Sequence, residues 1–287
     1  MVIVDSQVPL WEAHRPDRPW PAESLAAPAF VAVPGARPHR PEPLGAEELL
    51  QTLDANGVQR AVIVPPSPVG DQNATGLEAA AKYPDRFAVM GRFDPATPGA
   101  RERLAGWLAQ PGMLGIRMTF HKPKWRGWLE PGAIDWFWAD CEKLGIPIML
   151  LAPGHLPEVA RLAEAHPGLT LIIDHLGRRS ELRDDDCFAD LHVLLSLARL
   201  PNIAVKVSSA PCYSTHPYPY RNLAPYLQRI HEAFGPRRQL WGTDWTRLPC
   251  TYRQCLDHYR HELPFLTAAD KEWILGRAAL ALLRWRP

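Results

Sequence analysis

Short runs of β-branched and other apolar residues recur along the chain, and segments with helix-like patterning separate them. A continuous apolar run is typical of a parallel strand that is buried on both faces, and a helix is the usual crossover between two such strands. Eight runs have this character. They lie at residues 2–8, 60–65, 87–92, 114–119, 147–151, 169–175, 203–208 and 239–245.

Helix signals fill the segments between these runs. Gly57 follows the first predicted helix and Pro84 follows the second, and glycine and proline at such positions commonly mark the end of a helix. The predicted helices cover residues 46–56, 71–83, 98–109, 132–144, 156–166, 185–200, 218–234 and 252–263.

Eight strand-plus-helix units favour closure, so the predicted fold class is α/β: a single-domain (β/α)8 TIM barrel over residues 1–287. An open doubly wound sheet is the alternative. The proline-rich segment 16–43 predicts an irregular loop excursion. Residues 267–285 predict a C-terminal helix because Thr267 and Asp270 have the spacing of a helix start, and we expect this helix to pack on the outside of the barrel.

The charge balance argues against a nucleic-acid partner. The chain has 32 basic and 31 acidic residues, a formal net charge of +1, and no basic stripe. No apolar run approaches the roughly 20 residues that span a bilayer, and residues 1–5 read as a strand rather than a signal peptide. The five cysteines form no C-x-x-C pair, which indicates reduced thiols and a cytoplasmic location. We therefore expect the protein to bind a small-molecule substrate and to bind neither nucleic acid nor a membrane. Assembly into a homo-oligomer is kept as an alternative to a monomer.

The working residues of such a barrel project from the C-terminal ends of the strands and from the loops that follow. Charged and polar side chains at those places are expensive to bury unless they are paired, so several of them together indicate function. Each also has a structural interpretation, since Asp244 can cap a loop, His175 can be a core histidine and Arg117 can serve a structural ion pair. The candidates are Gln7, Arg117, His121, His175, Lys206, Ser208, Tyr213 and Asp244.

The segment after the fourth run is rich in tryptophan. Trp125 and Trp128 lie among basic residues and a glycine, which is typical of a loop that covers a ligand. Trp136 instead has the spacing of a helix buried on the barrel. Two interpretations of this segment therefore remain: packing against the core, and a lid that covers a ligand.

Four motifs lie in order along the chain: IVDSQ at 3–7, GIR at 115–117, IIDHLG at 172–177 and WGTDW at 241–245. Together they resemble the amidohydrolase superfamily, in the branch that includes lactonases for 2-pyrone-4,6-dicarboxylate and for sugar lactones. The resemblance extends over most of the chain. It implies a TIM barrel, hydrolysis of an ester or amide bond in a small molecule, and a catalytic base at the aspartate of the eighth strand, Asp244.

The chain departs from the superfamily at its metal ligands. Many members begin with D-x-H-x-H, whose two histidines hold a divalent metal, and this chain has Gln7 and Pro9 at those positions. A ligand expected after the fifth strand would fall near Leu151, which is apolar. His175 and Asp244 remain, whereas a catalytic zinc ordinarily has three protein ligands. We therefore expect no catalytic metal and no other cofactor, and the 2-pyrone branch implies that hydrolysis can proceed without one.

A metal-free hydrolysis follows as a hypothesis. Asp244 would accept a proton from the water that attacks a lactone carbonyl, and His175 would donate a hydrogen bond to the carbonyl oxygen. Arg117 and Lys206 would hold a carboxylate of the substrate. The supporting residues are Gln7, which would orient water, and Ser208, Tyr213 and His121, which would contact the substrate.

Two alternatives remain beside this hydrolase. Related barrels remove carboxylates from aromatic acids, so a metal-dependent non-oxidative decarboxylase is one. A barrel that has lost catalysis and binds a ligand is the other, and the missing first-strand histidines favour it. The charged groups Asp244, His175 and Arg117 argue against it, because a decayed site has no chemical reason to keep them.

Overall fold

The computed structural model describes residues 1–26, 40, 42–120 and 123–286. Within these residues, eight parallel strands form one sheet in which each strand pairs with the next along the chain. This order, with helices between consecutive strands, is that of a (β/α)8 barrel, so the predicted fold class is confirmed. The strands are β1 (Val4–Val8), β2 (Arg60–Ile63), β3 (Phe87–Arg92), β4 (Met113–Thr119), β5 (Ile148–Leu151), β6 (Leu171–Ile173), β7 (Ile203–Ser208) and β8 (Gln239–Gly242).

The barrel closes where β8 lies beside β1. The amide of Asp244 donates a hydrogen bond to the carbonyl oxygen of Gln7 at 2.8 Å. The Asp5 carboxylate accepts hydrogen bonds from the amide and hydroxyl of Thr243 and from the hydroxyl of Tyr252. Burial raises the pKa of Asp5 to about 6, although these hydrogen bonds oppose the shift. Asp5 therefore joins the first strand to the segment that follows the last.

The helices lie between the strands largely where the sequence predicts them. The helix predicted over 185–200 is divided at Asp190, whose backbone (φ −100°, ψ 20°) is not helical. No helix in the described ranges has the length and apolar character needed to cross a membrane. The helices are α1 (Ala22–Ala26), α2 (Ala46–Asn56), α3 (Ala74–Lys82), α4 (Ala100–Ala105), α5 (Pro123–Arg126), α6 (Asp135–Leu144), α7 (Leu156–Ala165), α8 (Asp184–Phe188), α9 (Leu191–Ser196), α10 (Ala224–Phe234), α11 (Tyr252–His261), α12 (Ala268–Glu272) and α13 (Ala278–Leu282).

The predicted loop excursion at 16–43 is described only in part. Residues 27–39 and 41 lie outside the described residues. The described part contains the short helix α1 and a bridge between Arg15 and Arg18.

Strand side chains alternate between two apolar layers, as in other parallel barrels. One layer packs against the surrounding helices, and the other fills the inside of the barrel. The inner layer consists of Val4, Val62, Val64, Ala88, Met90, Met149, Ile172, Ala204 and Leu240.

The C-terminal segment packs against this inner layer. Leu283 and Trp285 belong to the same buried cluster as the inner strand residues. A π-helical turn, Trp273–Arg277, runs so close to the start of the chain that a Cβ on Gly276 would lie 2.0 Å from the carbonyl oxygen of Val2. The prediction of a helix on the outside is therefore wrong. The segment covers the N-terminal end of the barrel, where the inner apolar residues would otherwise face water.

A buried histidine on α11 makes stability depend on pH. The ring of His258 lies 5.6 Å from that of Tyr220 and 5.5 Å from that of Tyr259. Neither ring nitrogen has a hydrogen-bond partner among the described residues. Burial lowers the pKa of His258 to about 4. Between about pH 6.5 and pH 4 the unfolded chain therefore holds a proton that the folded chain lacks, and the free energy of unfolding falls as the pH decreases through this window.

Replacing His258 by phenylalanine should remove this dependence, because a ring of similar size then needs no proton and no hydrogen bond. Urea unfolding at about pH 7.5 and about pH 4.5 should show a loss that is about 2 kcal/mol smaller in the variant than in the wild type. His192, exposed on α9, offers the control His192→Phe, which should keep the wild-type dependence. Equal losses in wild type and His258→Phe would contradict the prediction.

Candidate active site

Three consecutive strands are followed at the C-terminal end of the barrel by a residue with a left-handed backbone. The φ angle is 51° at His175 after β6, 57° at Ser209 after β7 and 52° at Asp244 after β8. This conformation costs a non-glycine residue roughly 1 kcal/mol or more and is frequent at functional sites. The strands predicted over 169–175 and 239–245 end before these residues, because a left-handed residue cannot continue a strand.

His175 and Asp244 face each other across this end of the barrel. Nε2 of His175 lies 3.8 Å from Oδ2 of Asp244, and both side chains are buried. The other ring nitrogen, Nδ1, shares hydrogen bonds with the hydroxyls of Ser208 at 2.9 Å and Ser209 at 3.1 Å. Nη1 of Arg247 donates a hydrogen bond at 3.3 Å to the same Oδ2 of Asp244.

Burial decides the protonation state of His175. It lowers the pKa of the imidazole to about 4, and the raising effects of Asp244 and Asp174 do not offset it. The ring is therefore neutral at pH 7, with one nitrogen that donates and one that accepts. A carboxylate and a neutral imidazole side by side can serve as a proton acceptor and a hydrogen-bond donor for one reaction.

Asp174 is the centre of a second, adjoining group of charges. Its Oδ2 accepts a hydrogen bond from Nε of Arg117 at 2.9 Å, and its Oδ1 lies 2.9 Å from Nζ of Lys206. Lys206 also donates a hydrogen bond to the side-chain oxygen of Gln7. Asp174 and Lys206 have no exposed surface. The group is therefore a closed network inside the barrel mouth.

The two cations around Asp174 determine its charge. Burial alone would raise the pKa of this carboxyl, but Lys206 and Arg117 outweigh burial and hold the pKa below its ordinary value of 3.8. Burial lowers the pKa of Lys206, although Asp174 opposes the change. The carboxylate stays charged at neutral pH and orients both cations.

The structure brings together most of the predicted site residues. One group holds His175, Ser208 and Asp244, and the other holds Gln7, Arg117 and Lys206. Tyr213 is buried in the turn Ala210–Tyr213 after β7, and burial raises the pKa of its hydroxyl while Arg247 acts against the rise. His121 lies outside the described residues, so its contact with substrate stays a prediction.

Three residues of these groups had no role assigned to them from the sequence. Asp174 precedes His175 in the IIDHLG motif, and its position was a usable signal. Ser209 follows Ser208, but only its left-handed backbone directs its hydroxyl to the histidine. Arg247 lies three residues after Asp244 in a 3-10 turn, and its spacing alone does not reveal the contact.

A small recess lies beside this network, at the ends of β3 and β4. Trp125 and Trp128 line it, so at least part of the tryptophan-rich segment faces the mouth of the barrel. Arg92 and Arg117 contribute its charged wall. The lining also includes Asp71 and Thr119.

The donor set does not fit a catalytic metal. In the described ranges, no group of three His, Cys, Asp or Glu side chains could hold a metal ion. Gln7 and Pro9 stand where the resemblance implies two histidines, and the side-chain oxygen of Gln7 is occupied by Lys206. His175 and Asp244 provide two potential ligands, fewer than the three of an ordinary catalytic zinc site.

Comparisons with known proteins agree with the fold and the motifs. The sequence model of the family described as Amidohydrolase matches residues 4–285. The chain is 28% identical over 255 residues to L-fucono-1,5-lactonase of Burkholderia ambifaria, which covers 84% of this chain and 79% of that protein. It is 28% identical over 203 residues to 4-sulfomuconolactone hydrolase of Hydrogenophaga intermedia, which covers 69% of this chain and 64% of that protein.

A solved structure shares the whole fold. The crystal structure of an amidohydrolase from Burkholderia multivorans with bound zinc superposes with a TM-score of 0.81 over 99% of both chains, at 22% sequence identity. The family match spans nearly the full length, and the predicted enzyme class, a hydrolase of this family, is confirmed. The chain belongs to the amidohydrolase family.

Proposed function

We propose that the protein hydrolyses a small carboxylated lactone and that Asp244 activates the water. The observation that carries the proposal is the pairing of Asp244 with a neutral His175, 3.8 Å apart, at the end of the barrel where TIM-barrel enzymes hold their active sites. The two related enzymes described above act, by their names, on lactones, and this supports the substrate class.

Asp244 is the proposed general base. Its Oδ2 atom accepts a proton from water while the water oxygen bonds to the carbonyl carbon of the lactone. When the intermediate collapses, the bond from that carbon to the ring oxygen breaks, and the ring oxygen takes the proton back from Asp244. The product is an open-chain hydroxy acid, and Asp244 is again a carboxylate.

His175 is the proposed donor to the carbonyl oxygen. A hydroxyl of Ser208 or Ser209 that donates to Nδ1 places the imidazole proton on Nε2. Nε2–H can then donate to the oxygen on which negative charge develops. A neutral imidazole suits this role because its low pKa keeps it from protonating the base beside it.

The Asp174 network positions the groups that meet the substrate. Arg117 binds the substrate carboxylate in this proposal, and Asp174 fixes the orientation of the guanidinium through Nε. Lys206 and Gln7 are enclosed next to Asp174, so we assign them to support rather than to direct contact with substrate.

The proposed reaction needs no metal, and this can be tested on the purified protein. Elemental analysis should find substoichiometric metal, and a panel of carboxylated lactones should contain a substrate whose hydrolysis rate is unchanged by EDTA. The matched control is the same lactone ring without its carboxylate, which should react more slowly. Activity that disappears with EDTA and returns with zinc would contradict the metal-free mechanism.

A further inference from the structure

Two arginines lie next to each other at the mouth of the barrel. Arg92 is the last residue of β3, and it pairs in register with Arg117 of β4. Neighbouring strands are about 4.8 Å apart, so both side chains leave the sheet side by side. Their relative exposures are 5% and 6%, which means that both are held almost entirely inside the protein.

The hydrogen bonds of Arg92 are incomplete. Its Nε donates to the carbonyl oxygen of Pro65 at 2.7 Å, and Nη1 donates to the hydroxyl of Thr119 at 3.3 Å. Nη2 is buried and has no partner among the described residues. An unpaired buried donor on a charged group is costly, and an acceptor in the adjoining recess would remove that cost.

The excess of positive charge around the recess also favours the binding of an anion. Within the described part of the chain, four cations stand near three carboxylates: the cations are Arg92, Arg117, Lys206 and Arg247, and the carboxylates are Asp71, Asp174 and Asp244. Burial and then the charge of Arg117 lower the pKa of Arg92 to about 9, so its guanidinium is still charged at neutral pH. One further negative charge in the recess would balance the group.

We propose that Arg92 and Arg117 together bind one carboxylate of the substrate in the recess lined by Trp125 and Trp128, and that Arg92 sets the preference for anionic substrates. This inference rests on the proposed function, since it identifies the group by which a lactone is selected. Planar guanidinium groups match the two oxygens of a carboxylate. In this inference Arg92 replaces Lys206 as the second cation that binds the substrate carboxylate, because the ammonium of Lys206 is enclosed by Asp174 and Gln7.

Binding can be measured without catalysis, by calorimetric titration with glutarate and with its neutral diamide, glutaramide. Wild type should bind glutarate more tightly than glutaramide. Arg92→Met should weaken glutarate binding by about 10- to 100-fold, the range for loss of a charge-assisted hydrogen bond, and leave glutaramide binding unchanged. The glutarate affinity of Arg92→Lys should lie between those of the wild type and Arg92→Met, because an ammonium keeps the positive charge but lacks the planar set of donors of a guanidinium.

Arg238 provides a matched control. It is a half-buried arginine whose guanidinium donates to backbone oxygens, among them those of Leu200 and Ala198. It lies beside the start of β8, at the other end of the barrel. Arg238→Met should bind glutarate like the wild type once thermal melting shows that it is folded. If Arg92→Met does not fold, the glutarate affinity of Arg92→Lys provides the test, since lysine keeps the buried charge.

The outcomes separate this inference from the proposed function. Glutarate affinity that stays at the wild-type value in the Arg92 variants, or a wild type that does not distinguish glutarate from glutaramide, would overturn the inference even if the enzyme opens lactones. Binding that depends on Arg92 in a protein that opens no lactone would support the inference and contradict the proposed function.

Discussion

Replacing Asp244 by asparagine should lower kcat for lactone hydrolysis by about 10³-fold, within the range of a lost general base, and change KM by no more than a few-fold. An amide oxygen of nearly the same shape cannot accept the proton of the attacking water. The substrate carboxylate is held elsewhere in the proposal, by arginine, so binding should persist. Steady-state rates on the best carboxylated lactone provide the measurement.

Asparagine is the right replacement because the backbone at Asp244 is left-handed (φ 52°), a conformation that asparagine adopts at a lower cost than alanine. The chain also offers a matched control. Asp184 has a φ of 51°, and its carboxylate accepts hydrogen bonds from Thr215 and Asn222. Asp184→Asn should keep nearly full activity, and an Asp244→Asn enzyme with more than a tenth of wild-type kcat would rule Asp244 out as the base.

The second large effect is expected on stability, at Asp174. Asp174→Asn leaves Lys206 and Arg117 buried without their shared counter-charge, and loss of one partner from such a group costs about 3–5 kcal/mol. Urea unfolding at pH 7 measures this loss. Adding Lys206→Met to the variant removes the buried ammonium and should recover part of the stability.

Because the pKa of Asp174 in the folded protein lies below the ordinary 3.8, its contribution is present above that pH and is lost as the pH falls below it. The control is Asp140, which forms an ion pair with Arg101 on the surface. Asp140→Asn should cost less than about 1 kcal/mol. A similarly small loss of unfolding free energy in Asp174→Asn would show that the Asp174 network does not stabilise the mouth of the barrel.

The barrel could be predicted because its strands are apolar on both faces, a pattern that is visible in the sequence. The ends of β6 and β8 could not, since His175 and Asp244 adopt a backbone that few residues other than glycine populate. The position of the C-terminal segment was also hidden. Its apolar stripe is compatible with packing on the outside of the barrel and with packing across the N-terminal end. Only its contacts with the inner apolar layer distinguish these two positions.

The sequence predicts which charged residues lie at the strand ends, but it does not predict which of them contact one another. Lys206 and Arg117 are both cations of suitable reach, and the sequence assigns both to the substrate. Both lie 2.9 Å from Asp174, and the sequence does not reveal this shared contact with one carboxylate. Arg92 becomes a candidate only through the register of β3 with β4, which places it beside Arg117 and depends on how the barrel staggers its strands.

A single turnover in H₂¹⁸O tests whether Asp244 activates water or attacks the substrate itself. Excess enzyme is mixed with a carboxylated lactone in labelled water, and the product is analysed by mass spectrometry. Direct attack by water places one ¹⁸O in the new carboxylate of the first-turnover product, and the enzyme stays unlabelled. An unlabelled first product together with ¹⁸O in the side chain of Asp244 would mean that Asp244 forms a covalent acyl-enzyme and is not the general base.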